Sequence, residues 1–122
     1  DKAAAVGFDW PDVRGVRDKL DEELQEMDEA LGARGTGKEP TSPQAQAALE
    51  HEIGDVLVTM TRLAAKLGVS PEDALRSAIQ RFSARFNTME DLAQAQTPNS
   101  AFRELSLDQM NVYWEAAKSK VG

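Results

Sequence analysis

The 122-residue chain contains no cysteine, which excludes a disulfide framework, a thiolate metal site and a cysteine nucleophile, and agrees with a reducing, cytoplasmic setting. It contains one histidine, His51. A helical di-iron site calls for Glu-x-x-His on one face; Ala48 stands three residues before His51, so that constellation is absent and His51 reads as a polar surface residue. Cations are in the minority, 14 Lys and Arg against 21 Asp and Glu, and the net charge of −7 disfavours nucleic acid as a partner. No apolar run approaches membrane-spanning length and no signal peptide is visible, so no membrane partner is expected. No stretch alternates with the two-residue period of a strand. What remains is a helical period throughout, and the expected fold class is all-α.

Charged residues make up 29% and apolar ones 41%, a globular balance. The length suits one domain over residues 1–122 with a modest core, small for an isolated helical protein, and oligomerisation would add the missing burial. The chain begins at Asp1, without methionine, on what reads as the tail of a helix, which points to a fragment of a longer protein.

Gly7-Phe8-Asp9-Trp10-Pro11 breaks that tail: Gly7 suits a helix end, Pro11 the first turn of the next helix, and Asp9 or Trp10 its cap. The first long helix is expected from about Pro11 to Leu31. The glycine- and proline-rich stretch from Gly32 to Pro43 reads as a flexible connection. Its Gly32-x4-Gly37-Lys38 resembles a phosphate-binding loop only superficially, because Glu39 replaces the Ser or Thr that would meet Mg²⁺ and no strand precedes the glycines. Ser42-Pro43 caps a second helix ending near Leu67-Gly68. Ser70-Pro71 opens a third, reaching about Ala95. Ser106-x-x-Gln109 is a capping box for a last helix to about Lys120.

The chemistry centres on two carboxylate pairs. Residues three apart share a helix face, so Glu23 and Glu26 point together, as do Glu52 and Asp55. On a wheel of about 100° per residue, Glu23 lies roughly 70° from the middle of the stripe Val13, Val16, Leu20, Leu24, Met27 and Leu31, and Glu26 roughly 130°. Glu52 and Asp55 have the same two offsets from the stripe Leu49, Ile53, Val56, Met60, Leu63 and Leu67. If the stripes pack together, four carboxylates meet at one edge of the interface, where they must take up protons or bind cations. Mg²⁺ is the natural hard-oxygen partner. A single pair of this kind is usually solvated surface; the matched duplication distinguishes this one. Gly54, mid-helix between the second pair, costs about 1 kcal/mol relative to alanine, which suggests close approach to the backbone there.

Other residues each carry two readings. Phe8 and Trp10, two of only seven aromatics, either staple helix ends or line a pocket for a planar ligand. Lys19, four residues before Glu23, is either a helix ion pair or a phosphate contact beside the metal. Arg81 and Arg85 form a solvated stripe or a polyanion clamp. Trp114 and Lys118, one turn apart, are a packing anchor with a solvated neighbour, or ring to base and ammonium to phosphate.

Taken in order, Gly7-Phe8-Asp9-Trp10-Pro11, Lys19-x3-Glu23-x2-Glu26, Glu52-x-Gly54-Asp55, Leu67-Gly68-x4-Asp73-Ala74-Leu75, Arg81-Phe82-x2-Arg85-Phe86 and Trp114-x3-Lys118 resemble the MazG nucleoside triphosphate pyrophosphohydrolases, in particular the C-terminal copy of two-copy members. The resemblance spans nearly the whole chain. It implies a MazG-type helical fold, a homodimer with a four-helix-bundle core, and Mg²⁺-dependent hydrolysis of a nucleoside triphosphate to monophosphate and pyrophosphate, with Mn²⁺ as a substitute ion. It further implies Glu23, Glu26, Glu52 and Asp55 as metal ligands and catalytic groups, Lys19, Arg85 and Lys118 as phosphate contacts, and Trp114 as a base contact. Arg81 stands where lysine is frequent, and Phe8 and Trp10 match a family signature that either touches the nucleotide or packs. Two departures stand out: the stretch from Gly32 to Pro43 is longer than in many members, and His51 replaces a common acidic residue, which would weaken an outer metal contact. The alternatives within the superfamily are a dUTPase-like or phosphoribosyl-ATP pyrophosphohydrolase. A non-catalytic dimerisation or regulatory module is the alternative outside it.

Overall fold

The computed structural model describes residues 2–9, 11–32 and 42–122. Among them there is no strand, and the elements run α1 (Lys2–Ala5), α2 (Val13–Gly32), α3 (Pro43–Lys66), α4 (Pro71–Gln96), a 3-10 turn (Phe102–Glu104) and α5 (Leu107–Lys120). The all-α expectation holds. Most of the connection between α2 and α3, including the glycines and lysine of the rejected phosphate loop beyond Gly32, lies outside the described residues, as does Trp10.

The residues form two compact units, Asp1–Pro71 and Glu72–Gly122. In the first, α2 and α3 pack through Val16, Leu20 and Leu49, all buried. Asp9 pairs with Lys66 at 3.2 Å, while one acidic group near the other end, Glu26, feels Glu52; residue numbers therefore run in opposite directions along the two helices, which are antiparallel. Ser42 caps α3, its hydroxyl accepting from the Ala45 amide at 3.0 Å. The helix closes on Gly68, whose φ of +73° is left-handed. Gly68 N–H donates to Ala65 O and Val69 N–H to Ala64 O, at 3.1 and 2.8 Å, so the last carbonyls are satisfied by a Schellman motif.

The cap of α2 corrects the sequence expectation. The helix begins at Val13, with Pro11 ahead of it, and Asp12 Oδ1 accepts from the Gly15 amide at 3.0 Å. Asp12 therefore takes the role expected of Asp9 or Trp10; Asp9 is engaged by Lys66 instead. The expected stripe on α3 is also only partly covered. Leu49 is buried and Val56 and Leu63 are half-buried, whereas Ile53, Met60 and Leu67 remain exposed, as do Leu57 and Val58 beside them.

In the second unit α4 and α5 meet through an aromatic cluster: Phe82 and Phe86 stack at 6.3 Å, Trp114 lies 5.4 Å from Phe82, and Phe102 meets Phe86 edge-on at 5.8 Å. Met89 and Ala93 of α4 and Ala117 of α5 are buried. Both halves of the predicted capping box are present at Ser106 and Gln109.

Candidate metal centre

Helical spacing sets the four carboxylates side by side. Glu23 and Glu26 lie one turn apart on α2, Glu52 and Asp55 one turn apart on α3, and each side chain offers an oxygen within 4.8 Å of the others. On α2 their burial follows the angular offsets, whereas on α3 the same offsets do not separate the pair. Glu23, nearest the apolar stripe, is only 6% exposed; Glu26 is exposed, and Glu52 and Asp55 are half-buried. Thr59, itself buried, donates its hydroxyl to the Asp55 carbonyl at 2.9 Å and ties the helix together behind the cluster.

The local field is negative. Lys19 Nζ reaches Glu23 Oε1 at 3.1 Å and Glu22 at 3.3 Å, and these hydrogen bonds, Glu23 first, raise the ammonium's proton affinity. One lysine does not balance the cluster. The Glu23 charge, then loss of solvent, then the Glu52 charge push the Glu26 carboxyl above its usual range. Glu23 Oε2 and Glu52 Oε2 are enclosed with no hydrogen-bond partner among the described residues. An enclosed carboxylate oxygen without a donor is costly, and an ion of oxygen preference supplies what the protein withholds. The residues therefore fit a divalent cation.

His51, read from the sequence as a surface residue and as a replacement that weakens an outer metal contact, has a partner in the cluster. Its ring is 70% exposed, as expected of a surface residue, yet Nε2 lies 3.2 Å from Asp55 Oδ2. The one-turn spacing His51-x3-Asp55 was the signal. Gly54 meets no close neighbour: nothing among the described residues lies within 4 Å of where its Cβ would be.

At the other end of α3, Gly7, Phe8, Asp9, Pro11 and Arg62 line an open cavity of about 480 Å³, so Phe8 borders a pocket and does not staple the core. In the second unit Trp114 packs on Phe82. Arg81 Nη1 donates to Ser77 Oγ at 3.0 Å, and Lys118 pairs with Glu115 at 3.3 Å. Arg85 turns inward, Nε donating to the Val121 carbonyl at 2.8 Å and Nη2 to Gly122 at 3.3 Å. The two arginines four residues apart thus have different partners and form no common clamp within their unit.

Antiparallel helices carrying two carboxylate pairs at one edge define a class, the all-α carboxylate-cluster proteins equipped for a divalent cation. Over 118 residues, 97% of the chain, the sequence is 39% identical to the nucleoside triphosphate pyrophosphohydrolase/pyrophosphatase MazG of Thermotoga maritima, of which it covers 40%. Over 118 residues it is 35% identical to the nucleoside triphosphate pyrophosphohydrolase of Escherichia coli K12, matching 96% of this chain and 41% of that protein. No protein-family model matches the chain. These homologues, similar over nearly the whole of this chain, are named MazG and nucleoside triphosphate pyrophosphohydrolase, and the chain spans about two fifths of the length of the curated relatives it matches.

Proposed function

We infer that the chain, acting as one MazG-like domain, hydrolyses nucleoside triphosphates to nucleoside monophosphate and pyrophosphate, with Mg²⁺, or Mn²⁺ in its place, held by Glu23, Glu26, Glu52 and Asp55. The observation that carries this reading is the buried Glu23 carboxylate turned into three others with one oxygen unpartnered; the names of the relatives point the same way. When bound, the ion supplies positive charge against the phosphate oxygens and makes a water more acidic.

The chain's own groups do the rest. Glu23, with Oε1 fixed by Lys19, holds Oε2 as an acceptor that orients the attacking water. Glu26, whose proton affinity its neighbours raise, accepts the water's proton. Lys19 keeps Glu23 and exchanges its second carboxylate, Glu22, for a phosphate oxygen. Arg81, Arg85 and Lys118 as further phosphate contacts, and Trp114 and Trp10 as base contacts, rest on the family resemblance; Arg85 would exchange its carbonyl partners for phosphate.

The assembly belongs to the same reading. Ile53, Leu57 and Met60 share a face of α3 and stay exposed, and Gly54 leaves the neighbouring backbone open. A second copy laid on this face gives the homodimer with its four-helix core. No helix among the described residues is long and apolar enough to cross a membrane; the role we assign is housecleaning of the cytoplasmic nucleotide pool.

The test is product analysis. The purified chain is incubated with each common NTP and dNTP, and with dUTP, with and without Mg²⁺, and the products are resolved by ion exchange. Monophosphate and pyrophosphate formed only with metal are expected. Orthophosphate as the first product, or turnover unaffected by chelation, would refute the assignment.

A further inference from the structure

We propose that His51 is a metal ligand, and that with Glu52 and Asp55 it gives the carboxylate cluster a nitrogen-bearing side that takes a divalent first-row transition ion of the Mn²⁺ to Zn²⁺ series. The inference rests on the reading of the cluster as a cation site and concerns which ion this chain selects. His51, Glu52 and Asp55 each offer an atom within 4.8 Å of the other two, and this set shares Glu52 and Asp55 with the four carboxylates. Nε2 of His51 and Oδ2 of Asp55 stand 3.2 Å apart. Two neighbouring ligands on an octahedral ion with bonds of about 2.1 Å lie about 3.0 Å apart, so the same two atoms that now pair with each other are spaced to share an ion.

A second observation lies on the side where the two sets meet. Glu52 Oε2 is enclosed without a partner, and so is Oε2 of Glu23, a side chain more than nine-tenths buried. Two carboxylate oxygens of the cluster, one of them on Glu52, which both sets share, are therefore enclosed with no hydrogen-bond donor among the described residues. The exposed imidazole can reach an ion there without desolvation cost. Mg²⁺ keeps oxygen ligands and its own waters, whereas imidazole suits the later first-row ions. Histidine in place of an acid does not delete a donor at this position; it changes the donor from oxygen to nitrogen and shifts the preference of the site.

The experiment uses the full chain, near neutral pH, with Zn²⁺ as the transition-ion probe because it is diamagnetic. His51 is the only histidine, so the imidazole nitrogens of isotope-labelled protein give one assignable pair of NMR signals, and calorimetry gives the affinities. Zn²⁺ is expected to move the Nε2 signal to that of a metal-bound nitrogen, and Mg²⁺ to leave it in place. His51→Asn should lose about tenfold or more in Zn²⁺ affinity and keep its Mg²⁺ affinity; His51→Glu should weaken Zn²⁺ and strengthen Mg²⁺. An Nε2 signal unmoved while Zn²⁺ binds, or equal Zn²⁺ affinity in His51→Asn, would overturn the inference and leave the carboxylate site standing, since Mg²⁺ binding persists. Failure of the native chain to bind either ion would overturn both.

Discussion

Glu26 shows how much one side chain reports about a site. It is exposed, yet Glu23 and Glu52 hold its carboxyl above the usual range. A carboxyl whose proton affinity rises on folding binds more protons in the folded chain than in the unfolded one, so stability falls as pH rises through the window between its ordinary and its raised value. Without metal, Glu26→Gln should therefore be more stable than the native chain at neutral pH, and the difference should shrink as pH drops into that window. Thermal unfolding of both proteins across pH measures this; a native chain more stable than the variant at neutral pH would show that the cluster does not repel itself. Saturating Mg²⁺ should reverse the order, because a cation then rewards the charge.

The same residues show what the sequence made legible. Wheel offsets of roughly 70° and 130° set Glu23 nearer the apolar stripe than Glu26, and Glu23 is the more buried, though the same offsets leave Glu52 and Asp55 alike half-buried. Local periodicity was enough for that. It was not enough for Arg85, whose carbonyl partners are 36 and 37 residues away. Nor was it enough for the α2 cap, where the sequence pointed to Asp9 or Trp10: Asp12 takes the Gly15 amide, and Asp9 pairs with Lys66 from the far end of α3.

Elements in this chain are bounded by short-range chemistry, and their ends were legible to within one or two residues. Ser42-Pro43 and Ser106-x-x-Gln109 start helices because a side-chain oxygen takes up an amide that the helix leaves free. Gly68 ends α3 because the left-handed φ of +73° costs little only without a Cβ. Gly68→Ala should destabilise the protein by about 1–2 kcal/mol, measured as a lower urea midpoint with an unchanged slope. An unchanged midpoint would mean that the Schellman closure contributes nothing. The 3-10 turn at Phe102–Glu104 had no sequence signal; Phe102 is half-buried against Phe86, so contact with α4 accompanies that conformation.

The α3 face is where the whole molecule differs from a sum of elements. An apolar stripe predicts burial, but Ile53, Met60 and Leu67 of that stripe are exposed in the single chain, as is Leu57 beside them, and mid-helix Gly54 has nothing among the described residues within 4 Å of where its Cβ would be. Both facts make sense if the stripe is read at the scale of an assembly. Leu57→Glu should convert a dimer to a monomer while keeping its helical content, read by light scattering on a sizing column together with circular dichroism. A native chain that runs as a monomer at every concentration would contradict this.

The claim on which the rest depends is that the cluster exists to hold a divalent cation. Calorimetric titration of the metal-free chain with Mg²⁺, beside Glu23→Gln, tests it most directly. Saturable binding in the native chain is predicted, weakened by about 100-fold or more in the variant, since even outer partners of a metal ligand are worth 10–100-fold. Native and variant chains with the same Mg²⁺ affinity, or no binding by the native chain, would contradict it.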